Sequence, residues 1–219
     1  MTGIIIQARI ASTRLPLKVC LNIRGKSIIE HVIERCLQTG YPCVLAVPGE
    51  ERHFWHNYMP PFSYLFYGDS QDVLARYYRC AQLYEFSKIV RITGDCPCID
   101  PLLIQETVAV SEKYHADYTS TRLQPPAFPD GLDVEVMTFQ SLQSAYINSI
   151  KPYDREHVTP HIISDQKNRV AFLTYNGPED FKCSIDTVED FEFLTENWGR
   201  ITSIRWTDYI GGRSYGDNL

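Results

Sequence analysis

Between Gln7 and Lys18 the chain reads Gln7-Ala8-Arg9-Ile10-Ala11-Ser12-Thr13-Arg14-Leu15-Pro16-Leu17-Lys18, which sets three cations and two hydroxyls directly after a β-branched run. Two guanidinium forks and one ammonium suit a polyphosphate, and backbone N–H groups at the carboxyl end of a strand add further donors. The glycines of a Walker loop are absent. On spacing alone, a solvated basic loop fits as well as a phosphate cradle.

Two aspartates invite a complementary reading. Asp95, in Thr93-Gly94-Asp95-Cys96-Pro97, follows a stretch expected to lie in the centre of a sheet, where a desolvated carboxylate needs a cation. Asp186, in Ser184-Ile185-Asp186-Thr187, sits at another strand-like end before a helix. Either one alone reads as a helix cap or turn residue; together they offer the few hard oxygen ligands that Mg²⁺ takes alongside water and phosphate. A nucleoside triphosphate carries about −4, and Mg²⁺ with Arg9, Arg14 and Lys18 supplies about +5, so the charges compensate for attack at phosphorus. Other metal-like spacings are weaker. His157 and His161 are interrupted by Pro160, and Cys96 and Cys98 lack a second pair, so these read as packing or pocket residues.

The elements that must position these residues alternate in type. Ile4-Ile5-Ile6 predicts a strand buried on both faces. Ser27 and Glu30 form a capping box ahead of a helix with Ile28, Ile29, Val32, Ile33, Cys36 and Leu37 on one stripe, ended by Gly40. Strands follow at 43–47, 64–67 and 88–92, with a helical pattern over 71–84. Asp100 and Pro101 start a helix running to about residue 114. The alternation predicts a three-layer α/β/α domain with a mainly parallel sheet and ligands beyond the strands' carboxyl ends. The stretch 48–61 shows no clear period, and the aromatics Phe62, Tyr64, Phe66 and Tyr67 read as core or interface. His53 and His56 read as surface or packing residues. Gln124 to Gly131 reads as a loop over the site, followed by a strand at 132–137, helices at 139–147 and 154–164, a strand at 170–175 and a helix from 188 to about 197, which Thr187 caps. One domain over 1–210 is expected, with 211–219 a polar tail, disordered or docked on a partner.

Composition narrows the function classes. Twenty-seven acids against 21 bases give a net charge of −6, which argues against a nucleic-acid backbone as partner. No acid precedes Glu30, whereas Arg9, Arg14, Lys18, Arg24 and Lys26 all do, so the basic cluster points to an anionic ligand. Seven cysteines without framework spacing fit reduced thiols. With no basic leader and no apolar stretch of membrane-spanning length, a cytoplasmic protein without membrane partners is expected.

The same residues, taken in order, resemble a known family. Gln7-Ala8-Arg9 with Ser12-Thr13-Arg14-Leu15-Pro16 and Lys18, Asp72-Val73-Leu74 with Arg76-Tyr77, and Arg91 to Pro97 with Ile99-Asp100-Pro101 form its first half. Pro129 to Val136, Asp154 to Pro160, and Ile185-Asp186-Thr187 with Glu189-Asp190 form its second. The pattern is similar to the spore-coat polysaccharide cytidylyltransferase-like family, within the acylneuraminate and KDO cytidylyltransferases. The resemblance implies a nucleotide-diphospho-sugar transferase-like fold and transfer of CMP from CTP to a sugar acid or sugar hydroxyl with release of pyrophosphate. It implies that Ala8, Arg9, Ser12, Arg14 and Lys18 grip the triphosphate, with Asp72 and Arg76 near the nucleotide. Asp95 and Asp186 would hold Mg²⁺ and, with Lys18, carry catalysis. The acceptor would lie near Asp130, Asp133, Glu135, Arg155 and His157, with Asp133, Glu135 or His157 open as general base. A homodimer is the family expectation. Glycine is common in the family where Ala11 and Leu17 stand; if position 17 requires φ > 0, a leucine there costs about 1 to 2 kcal/mol. Transfer from another nucleoside triphosphate or to a non-sugar acceptor, and a catalytically silent nucleotide-sugar-binding subunit, remain as alternatives; the silent reading sits poorly with both aspartates being present.

Overall fold

A computed structural model of the chain describes residues 1–58, 64–125, 127–178 and 181–216. In order these form β1 (Thr2–Gln7), β2 (Asn22–Ile23), β3 (Lys26–Ser27), α1 (Ile28–Leu37), β4 (Cys43–Pro48), α2 (Arg52–Asn57), β5 (Tyr64–Gly68), α3 (Val73–Leu83) and β6 (Lys88–Thr93). There follow α4 (Pro101–Lys113), β7 (Tyr118–Ser120), β8 (Glu135–Thr138), α5 (Phe139–Asn148), α6 (Pro152–His157), α7 (Pro160–Ser164), β9 (Val170–Tyr175), α8 (Val188–Thr202) and β10 (Ile210–Gly216).

Eight strands make one sheet in the order β10-β9-β7-β8-β6-β1-β4-β5. The pairs β1–β4, β1–β6, β4–β5 and β7–β9 are parallel, whereas β8 runs antiparallel to both its neighbours and β10 to β9. The β-branched run of β1 is buried on both sides because successive side chains enter different cores. Ile4 and Ile6 pack with residues of α1, α4 and α8, and Ile5 packs with residues of α3, α5 and α7. Three layers and a mainly parallel sheet match the expected class.

Locally encoded features appear where expected. Ser27 and Glu30 close the capping box of α1, and Asp100 accepts from Leu102 N at 2.9 Å to start α4. Other segments differ. The region 48–61 forms, as far as residue 58, a 3-10 turn at Gly49–Glu51 and then α2, short elements that fall below the length at which a period can be read. The expected helix 154–164 is two helices, because Val158 (φ 71°) and Thr159 break it into α6 and α7. The strand expected at 132–137 begins only at Glu135, and β7 was not expected at all. Among the described residues no strand leads into Asp186; residues 181–186 are irregular, with a bend at Ser184. Residues 210–216 are not a tail but edge strand β10, clasped by Arg213 to Glu106 (2.5 Å) and by Tyr114 hydroxyl donation to Arg213 O (3.1 Å). Phe62, Pro126 and residues 217–219 lie outside the described residues.

Candidate active site

The loop after β1 is shaped by backbone bonds and by one distant carboxylate. Leu17 N donates to Ile10 O (3.1 Å), closing the loop on itself, and Leu17 adopts φ 57°, ψ 20°. Position 17 therefore does occupy the left-handed region, with a half-exposed leucine in it, and the following 3-10 turn Lys18–Cys20 directs Lys18 inward. From the far side, Glu51 accepts Ile10 N (3.0 Å to each oxygen), Ala11 N (3.4 Å) and the indole Nε1 of buried Trp55 (2.8 Å). Sequence reasoning passed over Glu51 because it lies in the stretch without periodicity.

The two aspartates come together. Lys18 Nζ lies 2.5 Å from Asp95 Oδ2 and 3.0 Å from Asp186 Oδ1, so both carboxylates touch one cation. Arg14 reaches the same Asp186 oxygen at 2.9 Å, and Lys182, another residue the sequence did not single out, reaches Oδ2 at 3.3 Å. Burial alone would raise the Asp186 carboxyl, but Lys18 and Lys182 outweigh it and hold it below the ordinary range. For Lys18, burial acts to lower the ammonium pKa and the two aspartates more than reverse it.

Asp186 reaches this position without a strand. Cys183 N donates to Asp130 O (2.6 Å), Ser184 Oγ donates to Asp130 Oδ2 (2.7 Å) and Ile185 N donates to Asp95 O (2.9 Å). Gly131 makes this possible: at φ +94° it lies so close to the 183–184 backbone that a Cβ would stand 2.2 Å from Cys183 C. Among the described residues no group of three or more His, Cys, Asp or Glu gathers around one point. Two carboxylates meeting on a single cation still fit Mg²⁺, which completes its octahedron with water and phosphate rather than with an all-protein cage.

Two cavities adjoin this pair. The first, about 330 Å³, is lined by Ala8, Arg9, Ser12, Arg14, Lys18 and Arg76 among others, and thus gathers most of the expected nucleotide set. The second, about 720 Å³, is lined by Asp130, Asp133, Glu135 and His157 with Arg122 and Tyr153. Asp95, Asp186, Arg91, Thr93 and His157 border both.

Two expected residues line neither cavity. Asp72 caps α3 through Ala75 N (2.8 Å) and forms an ion pair with Arg155, which also donates to Tyr146 O (2.7 Å). The pair ties α6 to α3. Glu135 is similarly committed, since it pairs with Arg91 and accepts from Tyr118 (2.5 Å) and Thr159 (2.8 Å). Asp133 is held by Arg122 Nε (2.8 Å) and by Gly131 N (2.8 Å), yet burial still pushes its carboxyl up to about 6. Tyr153 packs against His157 at a tilt of 48°, with ring centroids 4.3 Å apart. Cys96 and Cys98 are buried and His53 and His56 exposed, consistent with packing and surface roles.

The model of the cytidylyltransferase family matches residues 3–197. An uncharacterised protein of Methanocaldococcus jannaschii is 34% identical over 200 residues, covering 88% of this chain and 81% of its own. The spore coat polysaccharide biosynthesis protein SpsF of Bacillus subtilis is 28% identical, covering 87% and 83%. Among solved structures, a cytidylyltransferase from Leptospira borgpetersenii superposes with a TM-score of 0.80 at 26% identity, covering 94% of this chain and 91% of that one. A basic loop after the first strand, two aspartates meeting at its lysine, and a family match running through both place this chain in the cytidylyltransferase family, a family of nucleotidyltransferase enzymes.

Proposed function

We propose that the enzyme transfers CMP from CTP to a hydroxyl of a small acceptor, a sugar acid or sugar, with Mg²⁺ held by Asp95 and Asp186 and pyrophosphate as the second product. The observation that carries this reading is the meeting of both carboxylates on Lys18 Nζ at the border of two cavities, one basic and one mixed in charge. In this reading the first cavity takes the nucleotide. Arg9, Arg14 and the loop N–H groups bind the triphosphate, and Arg76 borders the nucleoside. The acceptor enters the second cavity, where Asp133 is assigned to take the hydroxyl proton: it lines that cavity and burial pushes its carboxyl up to about 6. When bound, Mg²⁺ supplies positive charge to the α-phosphate and orients it for in-line attack. A role in polysaccharide or glycoconjugate synthesis is supported by the likeness to SpsF.

Screening the four nucleoside triphosphates against sugar acids and neutral sugars, with pyrophosphate release as readout, tests the assignment; CTP should stand out. Asp95→Asn should lower turnover at least about a thousandfold, in line with losing a preorganised charge at phosphorus, with unchanged circular dichroism. Turnover near that of the parent enzyme would remove Asp95 from the metal site.

A further inference from the structure

Lys18 belongs to the loop that the proposed function assigns to phosphate, yet its ammonium is turned to the aspartates. It stands 2.5 Å from Asp95 and 3.0 Å from Asp186, in the volume that an ion shared by those carboxylates would need. An ammonium and a divalent ion cannot both occupy that volume, because two cations in contact repel strongly in a partly desolvated site. From this overlap we infer that Lys18 competes with the metal: without nucleotide it neutralises the aspartate pair and keeps divalent affinity low, and it leaves when a triphosphate offers it another anion. The inference rests on the reading of Asp95 and Asp186 as metal ligands.

Three further observations favour it. Lys18 N is anchored to Leu15 O (3.2 Å), so the exchange requires only rotation of a flexible four-carbon stem. Asp186 keeps Lys182 when Lys18 departs, so it is not stranded. The first cavity also lies directly beside Lys18, which is among its lining residues, so a phosphate there is within the sweep of the ammonium. The coupling is reciprocal: whatever factor the nucleotide adds to metal affinity, the metal adds to nucleotide affinity.

The test uses Mn²⁺ alone, without nucleotide, with free Mn²⁺ followed by electron paramagnetic resonance. Lys18→Met, which keeps the stem and removes the charge, should bind Mn²⁺ at least tenfold more tightly than the parent chain, and Lys18→Gln should behave alike if Met perturbs folding. Lys182→Met removes the same charge from the same carboxylate but from outside the pair, and should shift affinity less than threefold. Adding Asp95→Asn to Lys18→Met should abolish the gain. Equal shifts in the two lysine variants, or no tightening in Lys18→Met, overturn the competition. If the gain survives Asp95→Asn, the ion binds elsewhere and the metal assignment falls with it. No tightening together with loss of metal-dependent turnover in Asp95→Asn sinks the competition alone and leaves the proposed function standing.

Discussion

In the proposed reaction Asp133 takes the acceptor's proton. Its carboxyl is pushed up to about 6, chiefly by burial. A base must be ionised to accept a proton, so kcat/KM should climb as pH rises through about 6 and then level off, and Asp133→Asn should remove that limb. A profile unchanged by the substitution would pass the role to another group. Stability moves oppositely. Since the folded chain holds this proton more tightly than an ordinary carboxyl at 3.8, stability should decline between 3.8 and about 6. Leu17 gives a second prediction at this scale. With φ 57° and a half-exposed side chain, it bears the cost of left-handed backbone without the return of deep burial. Leu17→Gly should therefore raise stability by about 0.5 to 1 kcal/mol in urea titration, after allowing for the greater freedom of an unfolded glycine. A loss of stability would mean that leucine contacts outweigh backbone strain.

Elements explain which parts of this protein were legible beforehand. Helix starts depend on residues at most three apart, so Ser27 with Glu30, Asp100 with Pro101, and Thr187 could be read directly. The basic loop and both aspartates were equally visible as residue types next to expected strand ends. What holds them together was not, since Glu51 bonds across 41 residues to Ile10 and Lys18 across 168 to Asp186. β7 and β10 were missed for the same reason: a three-residue strand and a glycine-rich one are specified by the neighbour they pair with, not by their own pattern. Asp72 and Arg155 show the converse, two residues chosen from a motif that turn out to satisfy one another. The element-scale prediction concerns Glu51, whose carboxylate receives three N–H donors where an amide offers a single acceptor oxygen. Glu51→Gln should loosen the loop and weaken CTP binding about tenfold in calorimetry, with Glu51→Asp recovering part of the loss. Unchanged affinity would show that the loop keeps its shape unaided.

Across the whole molecule, an acidic chain sets Arg9, Arg14 and Lys18 around one of two cavities that border a common pair of carboxylates. Among the described residues no helix is long and apolar enough to cross a membrane. The far edge of the sheet is finished by β10, so truncation after Ile210 should uncover β9 and remove several ladder bonds of about 1 kcal/mol each. We expect the melting temperature to fall by about 5 to 10 °C, with the nucleotide side little changed; an unaltered melting curve would mark β10 as dispensable. The sharp bend at Val158 bears on any effort to retune the enzyme. Thr159 N donates to His157 O at 2.8 Å around a fully buried valine at φ 71°, so two linings of the second cavity are aimed by packing beneath it. Engineering for a new acceptor would thus begin at Val158 and its buried hydrophobic neighbours, whose packing holds the bend that carries His157 and Thr159.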